Sequence, residues 1–236
     1  MTQDSITRRP GRAGPSAPSR QAPEPMSGGP ATLRTKDGIT LEARWDVPDD
    51  PRAAVVLCHP HPLYGGTMEV PLLRTVAARL GAAGCAVLRF NFRGVGASTG
   101  ARSGDRAAVG DLAAAVAAAT VAFPGLPLGL AGWSFGAVIA LCWQADNGSE
   151  HPLAAIAPPT RADVGPGLPD PPSLSPARRL FVVGSRDQFA DAAALGAYAE
   201  ALGAELQVLP GSDHFFYARE HRVGNAVAAH LRVSAE

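Results

Sequence analysis

Leu126-Pro127-Leu128-Gly129-Leu130-Ala131-Gly132-Trp133-Ser134-Phe135-Gly136-Ala137-Val138-Ile139-Ala140-Leu141-Cys142-Trp143 is the stretch that decides how this chain folds. An apolar, strand-like run enters Gly132-Trp133-Ser134-Phe135-Gly136, and an apolar, helix-like run leaves it. A serine at a sharp strand-to-helix turn carries its hydroxyl out of the backbone. Gly132 and Gly136 lack a Cβ and let neighbouring chain approach. The helix beginning after Ser134 turns its free N–H groups and positive dipole end toward negative charge that develops there. The five letters alone also describe an ordinary glycine-rich turn, so the surrounding sequence has to decide.

Working outward, apolar runs alternate with helix-period segments. Thr32 to Thr35 and Ile39 to Val47 read as strands around Lys36-Asp37-Gly38, a hairpin signal. Ala53 to Cys58 and Cys85 to Phe90 are continuous apolar runs, the pattern of strands buried on both faces. Glu69 to Ala82 and Asp105 to Ala122 read as helices, the first with Leu72, Val76 and Leu80 on one face. Beyond the serine turn come strands at Leu153 to Ala157, Leu180 to Val183 and Glu205 to Leu209. Helices are expected at Phe135 to Ala145, Ala190 to Leu202 and Phe215 to Leu231. A hairpin followed by βα units predicts an α/β fold: a mostly parallel central sheet with helices on both faces. Reactive groups in such sheets gather at the carboxyl ends of the strands.

Residues 1–30 are rich in Pro, Gly, Ser and Arg and offer nothing to bury, so they read as a disordered tail ahead of one catalytic domain, 31–236. The 21 acidic and 21 basic residues balance, which gives no field to draw the chain to nucleic acid or an anionic membrane. No apolar run is long enough to span a bilayer, and no apolar segment follows Arg8-Arg9. Cys58, Cys85 and Cys142 are an odd set in apolar segments, which points to reduced thiols and a cytoplasmic location. Composition leaves a homo-oligomer open.

A serine hydroxyl needs a base, most often a histidine oriented by a carboxylate. Asp187 stands just past the Leu180 to Val183 strand, and His214 just past Glu205 to Leu209. With Ser134 they follow the chain order Ser, Asp, His expected for this architecture. Asp187 has an alternative as a helix cap, for which Asp191 is the better candidate. Asp213 competes with Asp187 but adjoins His214, where it shapes the turn. His221 and His230 fall on the last helix and read as solvent-facing.

His59-Pro60-His61-Pro62-Leu63-Tyr64-Gly65-Gly66 leaves the end of the Ala53 to Cys58 strand. His59 and His61 have no third ligand at metal spacing, so neither a metal nor a cofactor is expected. An oxyanion hole takes one N–H from the residue after the nucleophile, here Phe135, and another from this loop. Pro60 and Pro62 have no N–H. His61 is then the best donor, with Leu63 and Tyr64 as alternatives. Gly94-Val95-Gly96 departs from a dinucleotide-binding pattern.

The span 31–232 resembles the α/β-hydrolase superfamily. The combination of His59-Pro60-His61-Pro62, Gly65-Gly66-Thr67-Met68, Phe90-Asn91-Phe92-Arg93-Gly94-Val95-Gly96, the Ser134 turn and Asp213-His214-Phe215-Phe216 looks like its small bacterial dienelactone-hydrolase-like branch. The resemblance implies a cofactor-free serine hydrolase: Ser134 as nucleophile, Asp187 as acid, His214 as base, His61 and Phe135 as oxyanion donors. Dienelactone hydrolases carry cysteine where this chain has Ser134, so their substrate does not transfer. The place of a helical cap holds only Pro158 to Pro176, with seven prolines, which predicts a minimal cap and an open site. The function expected is hydrolysis of the carboxylic ester of a small acyl substrate. Thioesterase and acyl-peptide hydrolase readings use the same groups, and a non-catalytic binding protein is the rival from another class. Epoxide and haloalkane hydrolysis in this fold need a carboxylate where Ser134 stands.

Overall fold

The structure, a computed structural model, describes residues 28–161 and 165–232. The tail expectation for residues 1–27 lies outside the described residues. Eight strands form one sheet: β1 (Gly29–Arg34), β2 (Thr40–Asp46), β3 (Ala53–Cys58), β4 (Cys85–Phe90), β5 (Leu128–Trp133), β6 (Leu153–Ile156), β7 (Arg179–Gly184) and β8 (Glu205–Leu209). Their order is β1-β2-β4-β3-β5-β6-β7-β8. The β1–β2 and β2–β4 pairs are antiparallel, and all others are parallel. This is the α/β-hydrolase fold.

Five helices connect the strands: α1 (Pro71–Ala82), α2 (Ala108–Ala122), α3 (Phe135–Asn147), α4 (Ala192–Ala201) and α5 (Glu220–Leu231). The β3–α1–β4 crossover moves one way along the sheet, and β4–α2–β5 returns past β3. Right-handed crossovers in opposite directions put their helices on opposite faces. Accordingly α1 packs against α5, and α2 against α3.

Strands β3 to β7 are buried along their whole length. Apolar alternation would waste such positions, so these strands read as unbroken apolar runs. Two arginines interrupt them with their guanidinium groups hydrogen-bonded. Arg89 on β4 donates to Asp46 Oδ2 at 2.7 Å and to the Met68 carbonyl at 2.8 Å. Arg179 on β7 donates to Gln144 Oε1 at 2.8 Å and to the Ser175 carbonyl at 2.9 Å. β8 forms the edge opposite β1, and it is largely exposed.

Three boundaries differ from the sequence pattern by three residues or more. β1 starts at Gly29, three residues before Thr32, because Gly29 and Pro30 pair with Trp45 and Arg44 on β2. α2 starts at Ala108, since Asp105 serves as a side-chain acceptor for Ala107 N–H in the preceding turn. α5 starts at Glu220 rather than Phe215. The Asp213 carboxylate takes the N–H groups of Phe215 and Phe216, and Phe216 and Ala218 have φ of 53° and 59°. Left-handed residues interrupt a helix, so the segment after His214 is a turn. His230 corrects a further expectation. It is buried at the end of α5 instead of facing solvent.

No helical cap covers the carboxyl ends of the strands among the described residues. The described parts of the proline-rich segment hold one short 3-10 turn, Pro171–Ser173. They are tied down to the body of the domain. Tyr198 donates to the Pro169 carbonyl at 2.7 Å, and Thr160 N–H to the Phe189 carbonyl at 3.1 Å.

Candidate active site

Ser134 sits between β5 and α3 with φ 55° and ψ −119°. A non-glycine residue in such a conformation stores on the order of 1–3 kcal/mol, and it persists only where its surroundings hold it. Here the hold comes from crowding. A Cβ on Gly132 would lie 2.4 Å from the Gly136 carbonyl oxygen, and one on Gly136 would lie 2.5 Å from the His59 carbonyl oxygen. Both glycines are therefore required by close approach. The Ser134 N–H donates to the Ile156 carbonyl at 2.8 Å, which anchors the turn to β6. Phe135 is the first residue of α3, so its N–H has no acceptor within the helix.

His214 Nε2 lies 2.9 Å from Ser134 Oγ. Its Nδ1 lies 2.9 Å from Asp187 Oδ2 and 3.0 Å from Oδ1. The structure thus brings the three side chains into one line across 81 residues of sequence, from Ser134 to His214. The Asp187 side chain is fully buried, and Oδ1 also accepts the N–H groups of Phe189 at 2.9 Å and Ala190 at 2.8 Å. The cap-like reading of Asp187 and its pairing with histidine are therefore both realised, by one carboxylate. Asp191 caps α4 by accepting the Ala194 N–H. Asp213 shapes the turn after β8 and takes no place in the line.

The histidine arm has supports that sequence reasoning missed. Trp133 Nε1 donates to the His214 carbonyl at 3.2 Å, so the residue before the serine holds the histidine that meets it. The Phe189 ring meets the His214 ring edge-on, with centroids 4.8 Å apart. A Cβ on Gly184 would lie 2.3 Å from the Ser212 carbonyl oxygen, so the chain ends of β7 and β8 also touch closely. A tryptophan inside the five-residue motif is the one signal that could have pointed to this.

The β3 loop is stiff for a reason beyond its prolines. His59 is fully buried. Its Nε2 accepts the Phe92 N–H at 3.0 Å, which leaves Nδ1 to donate to the Pro60 carbonyl at 2.6 Å. Both ring nitrogens are thereby engaged. Burial pulls its pKa down to about 4, so the ring is neutral near pH 7. This neutral imidazole ties the ends of β3 and β4 together. His61 heads a short 3-10 turn, Pro62–Tyr64, and its Nδ1 accepts the Leu63 N–H at 3.2 Å. Tyr64 N–H donates to the His61 carbonyl at 3.1 Å. The alternative oxyanion donors, Leu63 and Tyr64, are thus both spent inside the loop. The His61 ring packs edge-on against Phe135, centroids 5.0 Å apart, which juxtaposes the two candidate donor residues.

The Gly94-Val95-Gly96 loop serves the scaffold. Arg93 makes hydrogen bonds to buried Asp111 from its backbone N–H at 2.9 Å and its guanidinium at 2.7 Å. Glu42 Oε2 accepts from Asn91 Nδ2 and Ala97 N–H, both at 2.8 Å.

A cavity of about 720 Å³ opens over Ser134 and His214. Pro60, His61, Tyr64, Trp133, Phe189 and Phe215 are among its walls. Among the described lining residues none is Asp or Glu, and Arg161 supplies the one guanidinium.

Residues 49–177, more than half of the chain, match the family described as serine aminopeptidase, S33. The chain belongs to this family. An α/β serine hydrolase homologue from Coxiella burnetii shares 28% identity with this S33-family chain, covering 87% of it and 98% of the homologue, with a TM-score of 0.76. XC6422 from Xanthomonas campestris, described as an a/b serine hydrolase without lid, shares 27% identity over 93% of this chain and 97% of its own, with a TM-score of 0.75. The Rickettsia prowazekii protein RP471 is 28% identical over 81% of this chain and 84% of its own. The S33 match and the two structures place the protein in the α/β-hydrolase superfamily as a serine hydrolase, without singling out the dienelactone-hydrolase-like branch. The family match includes Ser134 and stops short of Asp187 and His214, so the reading of those two rests on geometry. Among the described residues of this hydrolase no helix is long and apolar enough to cross a membrane.

Proposed function

We propose that this hydrolase cleaves carboxylic esters of small acyl substrates through an acyl-enzyme. The observation that carries the reading is the line of contacts from Ser134 Oγ through His214 to Asp187, 2.9 Å at each step. His214 takes the Ser134 proton as Oγ attacks the carbonyl carbon. Asp187 keeps the ring in the tautomer that presents a bare Nε2 and stabilises the imidazolium that forms. The N–H groups of Phe135 and His61 receive the oxyanion, each worth on the order of 3 kcal/mol. His214 then protonates the departing alcohol. Water, deprotonated by the same ring, releases the acid and restores Ser134.

The family description names aminopeptidase chemistry, which uses the same serine, and the ring-lined cavity supports the ester reading. The cavity volume of about 720 Å³ suits a small-molecule ligand.

A fluorophosphonate probe tests the reading. Wild type is expected to label at Ser134 and to turn over p-nitrophenyl acetate faster than the matching thioester or anilide, and Ser134→Ala to do neither. Equal labelling of wild type and Ser134→Ala removes Ser134 as nucleophile. A preference for the anilide restores the aminopeptidase reading.

A further inference from the structure

Six large apolar side chains are exposed among the described residues: Leu63, Tyr64, Val121, Val208, Phe215 and Tyr217. Three of them, Tyr64, Phe215 and Tyr217, line the cavity over Ser134, and Leu63 adjoins Tyr64. Exposed apolar surface is thus concentrated at one mouth. Within it, Phe215 and Tyr217 form a built pair. Their rings stack with centroids 5.6 Å apart and planes 23° apart. Trp133 backs Phe215 edge-on at 6.4 Å, and the His214 ring meets it at 5.7 Å and 90°. Tyr217 remains 71% exposed, so an open ring surface stands one ring away from the imidazole, on the far side of Phe215.

Position then says which end of a substrate meets this pair. In the first half-reaction the Ser134 Oγ–carbon bond forms and the bond from carbon to the alcohol oxygen breaks. The serine proton passes through His214 Nε2 to that oxygen. The leaving oxygen must therefore lie at hydrogen-bond distance from Nε2. What that oxygen carries lies in the cavity, whose walls just beyond His214 include Phe215 and Tyr217.

We propose that Phe215 and Tyr217 form a leaving-group subsite that selects esters of alcohols bearing an aromatic ring, that ring lying against the stacked pair. This rests on the ester reading above and adds the class of alcohol. Tyr64, whose ring leans on His61 with centroids 4.7 Å apart, bounds the mouth on the side of the β3 loop. A ring-to-ring contact in place of an aliphatic one is worth roughly two- to tenfold.

The test compares benzyl acetate with cyclohexylmethyl acetate, which share an acyl group and a primary alcohol and differ in the ring. Wild type is expected to favour the benzyl ester in kcat/KM by about tenfold. Tyr217→Ala and Phe215→Ala are each expected to bring that ratio toward one. Val121→Ser, on the exposed face of α2 away from the cavity, is the control and keeps the wild-type ratio. A wild-type ratio near one, or a ratio that survives both ring deletions, overturns the proposal. So does a result in which phosphatidylcholine vesicles raise both rates equally and Tyr217→Ala removes that rise, because the rim then meets lipid. Ser134→Ala separates the two levels. If it hydrolyses both esters like wild type, the acyl-enzyme reading fails, whatever the ring preference.

Discussion

The two arms that meet at Ser134 and His214 are built differently. The serine arm is held by backbone contacts, including those with the ends of β3 and β6. β5 and α3 are almost wholly buried, and two glycines let the turn lie against carbonyls a Cβ would strike. The histidine arm hangs from the edge strand β8, which is mostly exposed, and continues into a turn that presents Phe215 and Tyr217 to solvent. Its position comes from side chains elsewhere: the Trp133 N–H, the Asp187 carboxylate and the Phe189 ring. The contrast teaches that Ser134 is placed by close backbone packing, and His214 by side-chain partners.

The largest effect should come from cutting the base arm's electrostatic support. Asp187→Asn leaves a side chain of the same shape that favours the wrong imidazole tautomer. It is expected to lower kcat on p-nitrophenyl acetate by about 10⁴-fold with little change in fold. A loss under tenfold would mean that Asp187 only caps the turn at Phe189 and Ala190.

Paired glycine substitutions sharpen the comparison next. Gly136→Ala drives a Cβ into the His59 and Cys58 carbonyls. It is expected to cost about 3 kcal/mol, seen as a fall in Tm of roughly 6–12 °C. Gly184→Ala pushes on the Ser212 carbonyl, two residues before His214. Its expected signature is a kcat loss of about 10²-fold, with a smaller fall in Tm. Equal thermal losses at both sites would erase the distinction between the arms.

The smallest expected effect concerns the buried ring beneath the serine arm. His59 has a pKa of about 4 when folded, against an ordinary 6.5. Between those values the unfolded chain binds more protons than the native one. Stability is therefore present above pH 6.5 and is lost as pH falls toward 4. By pH 5 the loss is about 2 kcal/mol. His59→Gln should be less stable at pH 7 yet show a shallower decline in Tm from pH 6.5 to 5. Parallel slopes for the two proteins would assign the acid sensitivity to other groups.

The inner sheet was legible because β3 to β7 are buried on both faces. Ala53–Cys58 and Cys85–Phe90 fall where the apolar runs place them, and the exposed Glu205–Leu209 is bounded by its turn residues. The segment after His214 was misread because Phe215, Phe216 and Tyr217 continue an apolar periodicity that left-handed backbone then breaks. Burial of His230 was equally hidden, since helical spacing assigns it a face but not a neighbour. Its backbone carbonyl accepts from Arg178, 52 residues away in sequence.

What the chain's letters determined unaided is the architecture, the sharp turn at Ser134 and the order of Ser134, Asp187 and His214 at strand ends. Those depend on burial patterns and backbone sterics, which act between near neighbours. Only the tertiary structure decided that His214 reaches Ser134 within hydrogen-bond distance, that Trp133 and Asp187 hold it there, and that Leu63 and Tyr64 spend their N–H groups inside the loop. Each of these is a hydrogen bond whose formation depends on where folded segments come to rest, and no spacing along the chain encodes that distance.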